Sequence, residues 1–136
     1  MSNVLPEYYF RIRENGAMVF RVDAENRMRR IEMEQIAVVN VKNGEVKPHG
    51  GRALTEADQR EIAGWLAARQ DLLRAREVDD ILRTVDRLNL TAAWAQQKAT
   101  PEELAAVSDA LLLAMHDLRS VLVRKKSDQA RKDAAE

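Results

Sequence analysis

Six residues near the middle of the chain, Lys47-Pro48-His49-Gly50-Gly51-Arg52, form its densest grouping of chemically useful groups. Two adjacent glycines let backbone N–H groups approach an anion. Lys47, His49 and Arg52 can add positive charge, so the loop is a candidate binder of a small anionic ligand. Neither the glycine spacing nor the context is that of a Walker or dinucleotide-binding motif. The simpler reading is a sheet-to-helix linker that needs glycine to turn.

Other catalytic groupings are sparse. His49 and His116 are the only histidines and there is no cysteine, so neither a His-x-x-x-His pair nor a thiolate site exists. Ser2, Ser108, Ser120 and Ser127 lie outside any Gly-x-Ser-x-Gly elbow. Acidic pairs such as Asp79-Asp80 and Glu102-Glu103 are frequent. Asp79, Arg83 and Asp86 follow the three- and four-residue spacing of a solvated ion-pair face. No catalytic residue, metal or cofactor is expected, and an enzyme ranks last among the functional classes.

Nucleic acid is a separate case. Arg11, Arg13 and Arg21 with Tyr9 are read as sharing one sheet face, where arginines could meet phosphates and the tyrosine a base. Charge argues against it. The chain has 22 Lys/Arg against 22 Asp/Glu, and residues 1–52 hold nine against seven. Phosphate-backbone binding ordinarily needs a strong local basic excess. Long arginines on a half-buried antiparallel sheet also serve simply to solvate it and to discourage edge pairing.

The elements that must position these groups read as α+β. A single domain of 136 residues is expected, able to bury about two-thirds of its unfolded surface. Its first part, 8–48, is an antiparallel β-meander of four or five strands. Tyr8–Arg13 and Ala17–Val22 alternate around Asn15-Gly16, a hairpin signal. A three-residue loop, Glu14-Asn15-Gly16, would set Phe10 opposite Phe20, Tyr8 opposite Val22 and Ile12 opposite Met18. That register gathers the large apolar residues on one face and is the one expected. Residues 27–33 satisfy both helix and strand patterns. The β-branched run Ile36–Val41 is a strand, and a two-residue turn at Asn43-Gly44 would pair Val41 with Val46.

Helix chemistry follows. Thr55 is an N-cap with Glu56 and Asp58 in the first turn. Ile62, Trp65, Leu66, Leu72 and Leu73 make one stripe, expected to lie on the sheet. The next stripe, Val78, Ile81, Val85 and Leu88, lies on nearly the opposite side at about 100° per residue. Residues 55–97 are therefore one long helix, or two with a break near 77; the lack of any breaker between Gly64 and Leu90 favours one. Thr100-Pro101-Glu102-Glu103 opens the last helix, 101–124, with a capping box and a proline at the first helical position. Residues 127–136 read as a frayed tail or a loosely continued helix.

The two C-terminal stripes point to function. Leu82 flanks the first stripe. The second, with Leu104, Leu111 and Leu118, is flanked by Leu112, Met115 and Leu122. An antiparallel hairpin buries one seam per helix, and these bands are wider than one seam. The expected outlet is a second copy, giving a homodimeric bundle with Trp94 as an anchor at the hairpin tip. The reading is thus a small cytoplasmic, non-enzymatic interaction or regulatory protein that self-associates through its helices and meets another protein. The alternatives are a nucleic-acid-binding regulator using the arginine face and an anion binder at Lys47–Arg52. The longest apolar run, Ala110–Met115, is too short to span a bilayer, and the first residues lack the pattern of a signal peptide.

Overall fold

Four antiparallel strands in sequential order are followed by two helices, in a computed structural model that describes residues 5–23 and 30–135. The strands are β1 (Tyr8–Arg13), β2 (Gly16–Asp23), β3 (Glu32–Asn40) and β4 (Val46–Pro48). A single 3₁₀ turn, His49–Gly51, leads to α1 (Glu56–Gln97), and α2 covers Pro101–Ala135. The fold is α+β. The chain divides into two compact units, Met1–Ile81 and Leu82–Glu136.

The first hairpin departs from the expected register. Tyr8 pairs with Arg21, Phe10 with Val19 and Ile12 with Ala17, so the chain turns at Glu14-Asn15 and Gly16 enters the ladder. Gly16 also pairs with Asn40 of β3, and a Cβ on it would sit 1.9 Å from the Val39 carbonyl oxygen. A strand that passes this closely admits only glycine, so Gly16 serves the sheet interior and not the turn. Phe10 and Phe20 consequently lie on opposite faces. Phe10 stacks on Trp65 of α1 with ring centroids 4.5 Å apart and planes 3° from parallel. Phe20 is buried on the other face.

Between β2 and β3 the register shifts at Val19/Phe20, where Ile36 is the extra residue between Ala37, opposite Val19, and Gln35, opposite Phe20. This bulge lets two consecutive residues, Ile36 and Ala37, both be fully buried, which plain alternation forbids. The second turn also differs from expectation. Val46 pairs with Val39, and Asn40 N–H donates to the Glu45 carbonyl, leaving Val41 to Gly44 as the loop. Two demands pull Val41 out of the ladder: its N–H donates to the Asn15 carbonyl and its own carbonyl accepts from Gln70 Nε2 of α1. The Asn40 side chain accepts from the N–H groups of Lys42 and Asn43, and Gly44 takes a left-handed φ of 77°. In the ambiguous segment 27–33, residues 27–29 lie outside the described residues, and β3 begins at Glu32.

Val19, Ile36, Ala37, Val39 and Ile62 form the core of the first unit, with Phe10, Trp65 and Leu66 packed around them. The stripe expected to lie on the sheet does so at its start; Leu72 and Leu73 are already exposed. α1 is continuous through Glu77, which matches the absence of Gly and Pro there. α2 runs to Ala135, past the 101–124 expected. Its last turns contain alanine, Gln, Lys and Arg without Gly or Pro. They are tied by Asp128–Arg131 and by a 2.9 Å hydrogen bond from Gln129 to Asp133.

Candidate association surface

The first turn of α1 contains the most constrained polar cluster among the described residues. Thr55 Oγ1 accepts from Asp58 N–H at 3.0 Å, and Thr55 N–H donates to Asp58 Oδ2 at 3.0 Å, a reciprocal capping pair with Asp in place of the usual Glu. The same carboxylate accepts from Tyr8 Oη at 2.6 Å, and both its oxygens accept from Arg21 Nη2, at 2.8 Å (Oδ1) and 2.7 Å (Oδ2). The Asp58 side chain is only 2% exposed, while that of Arg21 is 44% exposed. Burial alone would push Asp58 up. Hydrogen bonds from Tyr8, Arg21 and Thr55 outweigh it and hold the carboxyl below its ordinary range. The Tyr8 hydroxyl is raised, chiefly because ionising would forfeit its hydrogen bond to Asp58. An Asp held ionised and a Tyr held neutral near neutral pH make a fastening of α1 onto β1 and β2 and are poor proton donors there.

This cluster also divides the expected arginine face. Arg21 lies on the α1 side, held by Asp58, whereas Tyr9, Arg11 and Arg13 lie on the other side with Phe20. There the Arg11 guanidinium sits 4.5 Å above the Phe20 ring and 5.8 Å from that of Tyr9. Arg13 Nε donates to Met18 Sδ. Both arginines thus cover apolar surface with their own chain, as long cationic side chains do over half-buried aromatics. The expected four-residue nucleic-acid set is not brought together.

In the loop at 47–52 the positive groups have acidic neighbours. Arg52 Nη1 is 2.6 Å from Glu34 Oε1, and Lys47 Nζ is 3.9 Å from Glu45 Oε1. Gly50 and Gly51 both adopt left-handed φ, 64° and 70°, which accounts for the pair as turn formers. His49 is exposed. No group of three or more metal-binding side chains occurs among the described residues.

The second unit differs in kind: its helices are built well and covered poorly. Both N–H groups of Lys98 and Ala99 donate to the Trp94 carbonyl, closing α1. Thr100 and Glu103 then form the expected capping box, with Glu103 Oε1 accepting from Thr100 N–H at 2.9 Å and Thr100 Oγ1 from Glu103 N–H at 3.2 Å. Trp94 and Leu104, beside this connection, are half-buried. Farther along the helices the apolar residues are open. Leu82 is 59% exposed, Leu112 64%, Leu118 51% and Leu122 55%. Val85 and Met115 are open to a similar degree, and Leu88 and Leu111 somewhat less. In the first unit Val78 and Ile81, on the opposite side of α1 from Ile62, are exposed as well.

Leu88 of α1 and Leu112, Met115, Leu118 and Leu122 of α2 line a groove of about 510 Å³. His116, Arg119 and Lys126 also line it. Sequence reasoning located the apolar residues of this surface but not these three side chains. The signal for two of them was available: Arg119 and Lys126 stand seven residues, or two helical turns, apart.

Resemblance adds nothing further. No family model matches this chain, and neither a curated protein nor a solved structure does. Among the described residues, no helix is long and apolar enough to cross a membrane.

Proposed function

We propose that this chain is a non-enzymatic interaction module that forms a homodimer through α1 and α2. One observation carries the reading: Leu82, Val85, Leu112, Met115, Leu118 and Leu122 of the second unit are each about half or more exposed in the single chain. A contiguous apolar band of that kind marks an association surface.

The magnitude is adequate. Leu82, Val85, Leu112, Met115, Leu118 and Leu122 are each about half exposed. Covering the remainder is worth about 1 kcal/mol per side chain, half of a full burial. Twelve such side chains per pair contribute about 12 kcal/mol, of the same order as the roughly 4–15 kcal/mol that association costs. The whole seam is therefore needed, and one charge placed in it on each copy suffices to break it.

Solution mass by sedimentation equilibrium, at low and high salt, tests this. A dimer is expected at both, with Leu111→Glu and Leu118→Glu monomeric while their helical circular dichroism is retained. A wild-type monomer at high protein concentration would end the proposal.

A further inference from the structure

We propose that the outer edge of β1 pairs antiparallel with β1 of a second copy, joining two sheets into one across a two-fold axis at Phe10. The contact lies wholly within the first unit and does not depend on the helical dimer proposed above.

Strand order leaves β1 at one end of the sheet, with β2 on one side only. Val22 N–H donates to the Glu7 carbonyl, so Glu7 and, by alternation, Tyr9, Arg11 and Arg13 direct their backbone groups toward β2. The N–H and C=O groups of Tyr8, Phe10 and Ile12 therefore point out of the sheet. An antiparallel strand bonds to them only when its own outward residues face these three. Centring the axis on Phe10 meets that condition. It sets Phe10 against Phe10, Tyr8 against Ile12, Tyr9 against Arg11 and Glu7 against Arg13. About six main-chain hydrogen bonds close, two for each facing pair of outward residues.

Side chains select this register. Glu7 and Arg13 are exposed, and they meet twice as opposite charges on one face. The bond from Arg13 to Met18 Sδ uses Nε alone, and the terminal Nη donors suit a carboxylate. Arg11, already lying over Phe20 and its own Tyr9, gains the Tyr9 ring of the second copy. Ile12 and Tyr9, exposed in the single chain, acquire a neighbour. Lys47 and Glu45, which neighbour each other, stand at the far edge of the sheet, three strands away.

Neighbouring registers fail. Centring on Arg11 opposes Arg11 to its equivalent, and centring on Tyr9 sets Pro6, which has no N–H, against Ile12. Arginines alone would keep any strand off this edge; Glu7 makes it selective for a second copy. Seven paired residues span only about 23 Å. The contact is thus small beside the roughly 1,600 Å² of a standard stable interface. It is weak, it fills at high protein concentration, and dilute helical variants stay monomeric with it intact.

Trapping tests it in the full-length chain, which has no cysteine of its own. Glu7→Cys with Arg13→Cys is made in the Leu118→Glu background, where the helical contact is broken. Positions 7 and 13 are about 20 Å apart within one strand. Across the proposed pair their Cα atoms approach to about 4.5 Å, within disulfide range. Oxidised glutathione should give a covalent dimer, with the 7-to-13 linkage found by peptide mapping. It should form at least tenfold faster than from a control with Glu7→Cys and Arg11→Cys, and circular dichroism should be unchanged in both. Separately, Glu7→Arg and Arg13→Glu should each weaken association of the Leu118→Glu chain about tenfold at low salt in sedimentation equilibrium at high concentration. Mixing the two restores both opposite-charge pairs and should recover it. Equal trapping rates for the two cysteine pairs, or charge reversals without effect, would overturn the edge pairing. If the wild-type helical dimer persists in that case, only the edge contact falls. Register-specific trapping from a chain whose wild type forms no helical dimer would leave the edge contact standing alone.

Discussion

Removing Asp58 is the sharpest perturbation of the first unit. Its carboxylate is 2% exposed and receives hydrogen bonds from Tyr8, Arg21 and the Thr55 N–H. In Asp58→Ala the Thr55 N–H loses its acceptor, at about 1 kcal/mol, while Thr55 Oγ1 still accepts from the backbone N–H of residue 58. The Tyr8 hydroxyl loses its acceptor in a half-buried position, at about 1–2 kcal/mol. The ion pair with Arg21 adds less than a buried pair would, because that guanidinium is 44% exposed and screened by water. These losses overlap, and about 3 kcal/mol in all is expected, roughly a 150-fold change in the unfolding constant. Urea unfolding followed by Trp65 fluorescence in a Trp94→Phe background reads this unit alone, since Trp65 stacks on Phe10. Acid gives an independent readout. The folded carboxyl titrates below its unfolded value, so the unfolded state takes up the proton first. Its stabilisation is full above the ordinary carboxylate range and is lost as pH falls toward the depressed folded value. Asp58→Asn should flatten that acid limb as well as lowering stability at pH 7. A loss under 1 kcal/mol, or an unchanged acid limb, would refute the account of Asp58 as the fastening of α1 to the sheet.

Two glycines should respond oppositely to alanine. Gly16→Ala forces a Cβ against the Val39 backbone and should cost several kcal/mol or abolish the sheet, read by the same urea titration. Gly64→Ala, on an open helical surface with nothing within 4 Å, should stabilise by up to about 1 kcal/mol. Trp65→Ala removes the stacked partner of Phe10 and should lower stability by about 3 kcal/mol in thermal unfolding. Immobilised polynucleotide should retain wild type and Arg11→Ala alike, and weakly, because Arg11 is engaged over Phe20; loss of a strong, salt-sensitive retention in the variant would reverse that reading.

Much of the architecture is legible in the residue order because its signals are local. Thr55 and Thr100 cap their helices as their neighbours dictate, α1 continues where no Gly or Pro interrupts it, and the β-branched run 36–41 supplies most of β3. The stripe of Val78 to Leu88 and that of Leu104 to Leu122 follow from the helical period alone, together with the imbalance between apolar area and one seam. Side-chain pattern likewise puts Arg119 and Lys126 two turns apart.

What the order of residues could not decide is what depends on a third strand or a second element. Counting apolar residues across one hairpin favoured Phe10 opposite Phe20; the actual register follows from Gly16, which must be bare where β3 passes it. Val41 leaves its ladder because Asn15 and Gln70, both remote in sequence, take its backbone groups. Arg21 changes face for the same reason. One step of register moves every side chain across the sheet, and the buried carboxylate that receives Arg21 arrives only with α1. The apolar band on the helices is written in the sequence, but its exposure is a tertiary fact: within the second unit one helix covers only one seam of the other, and Leu112, Leu118 and Leu122 stay exposed.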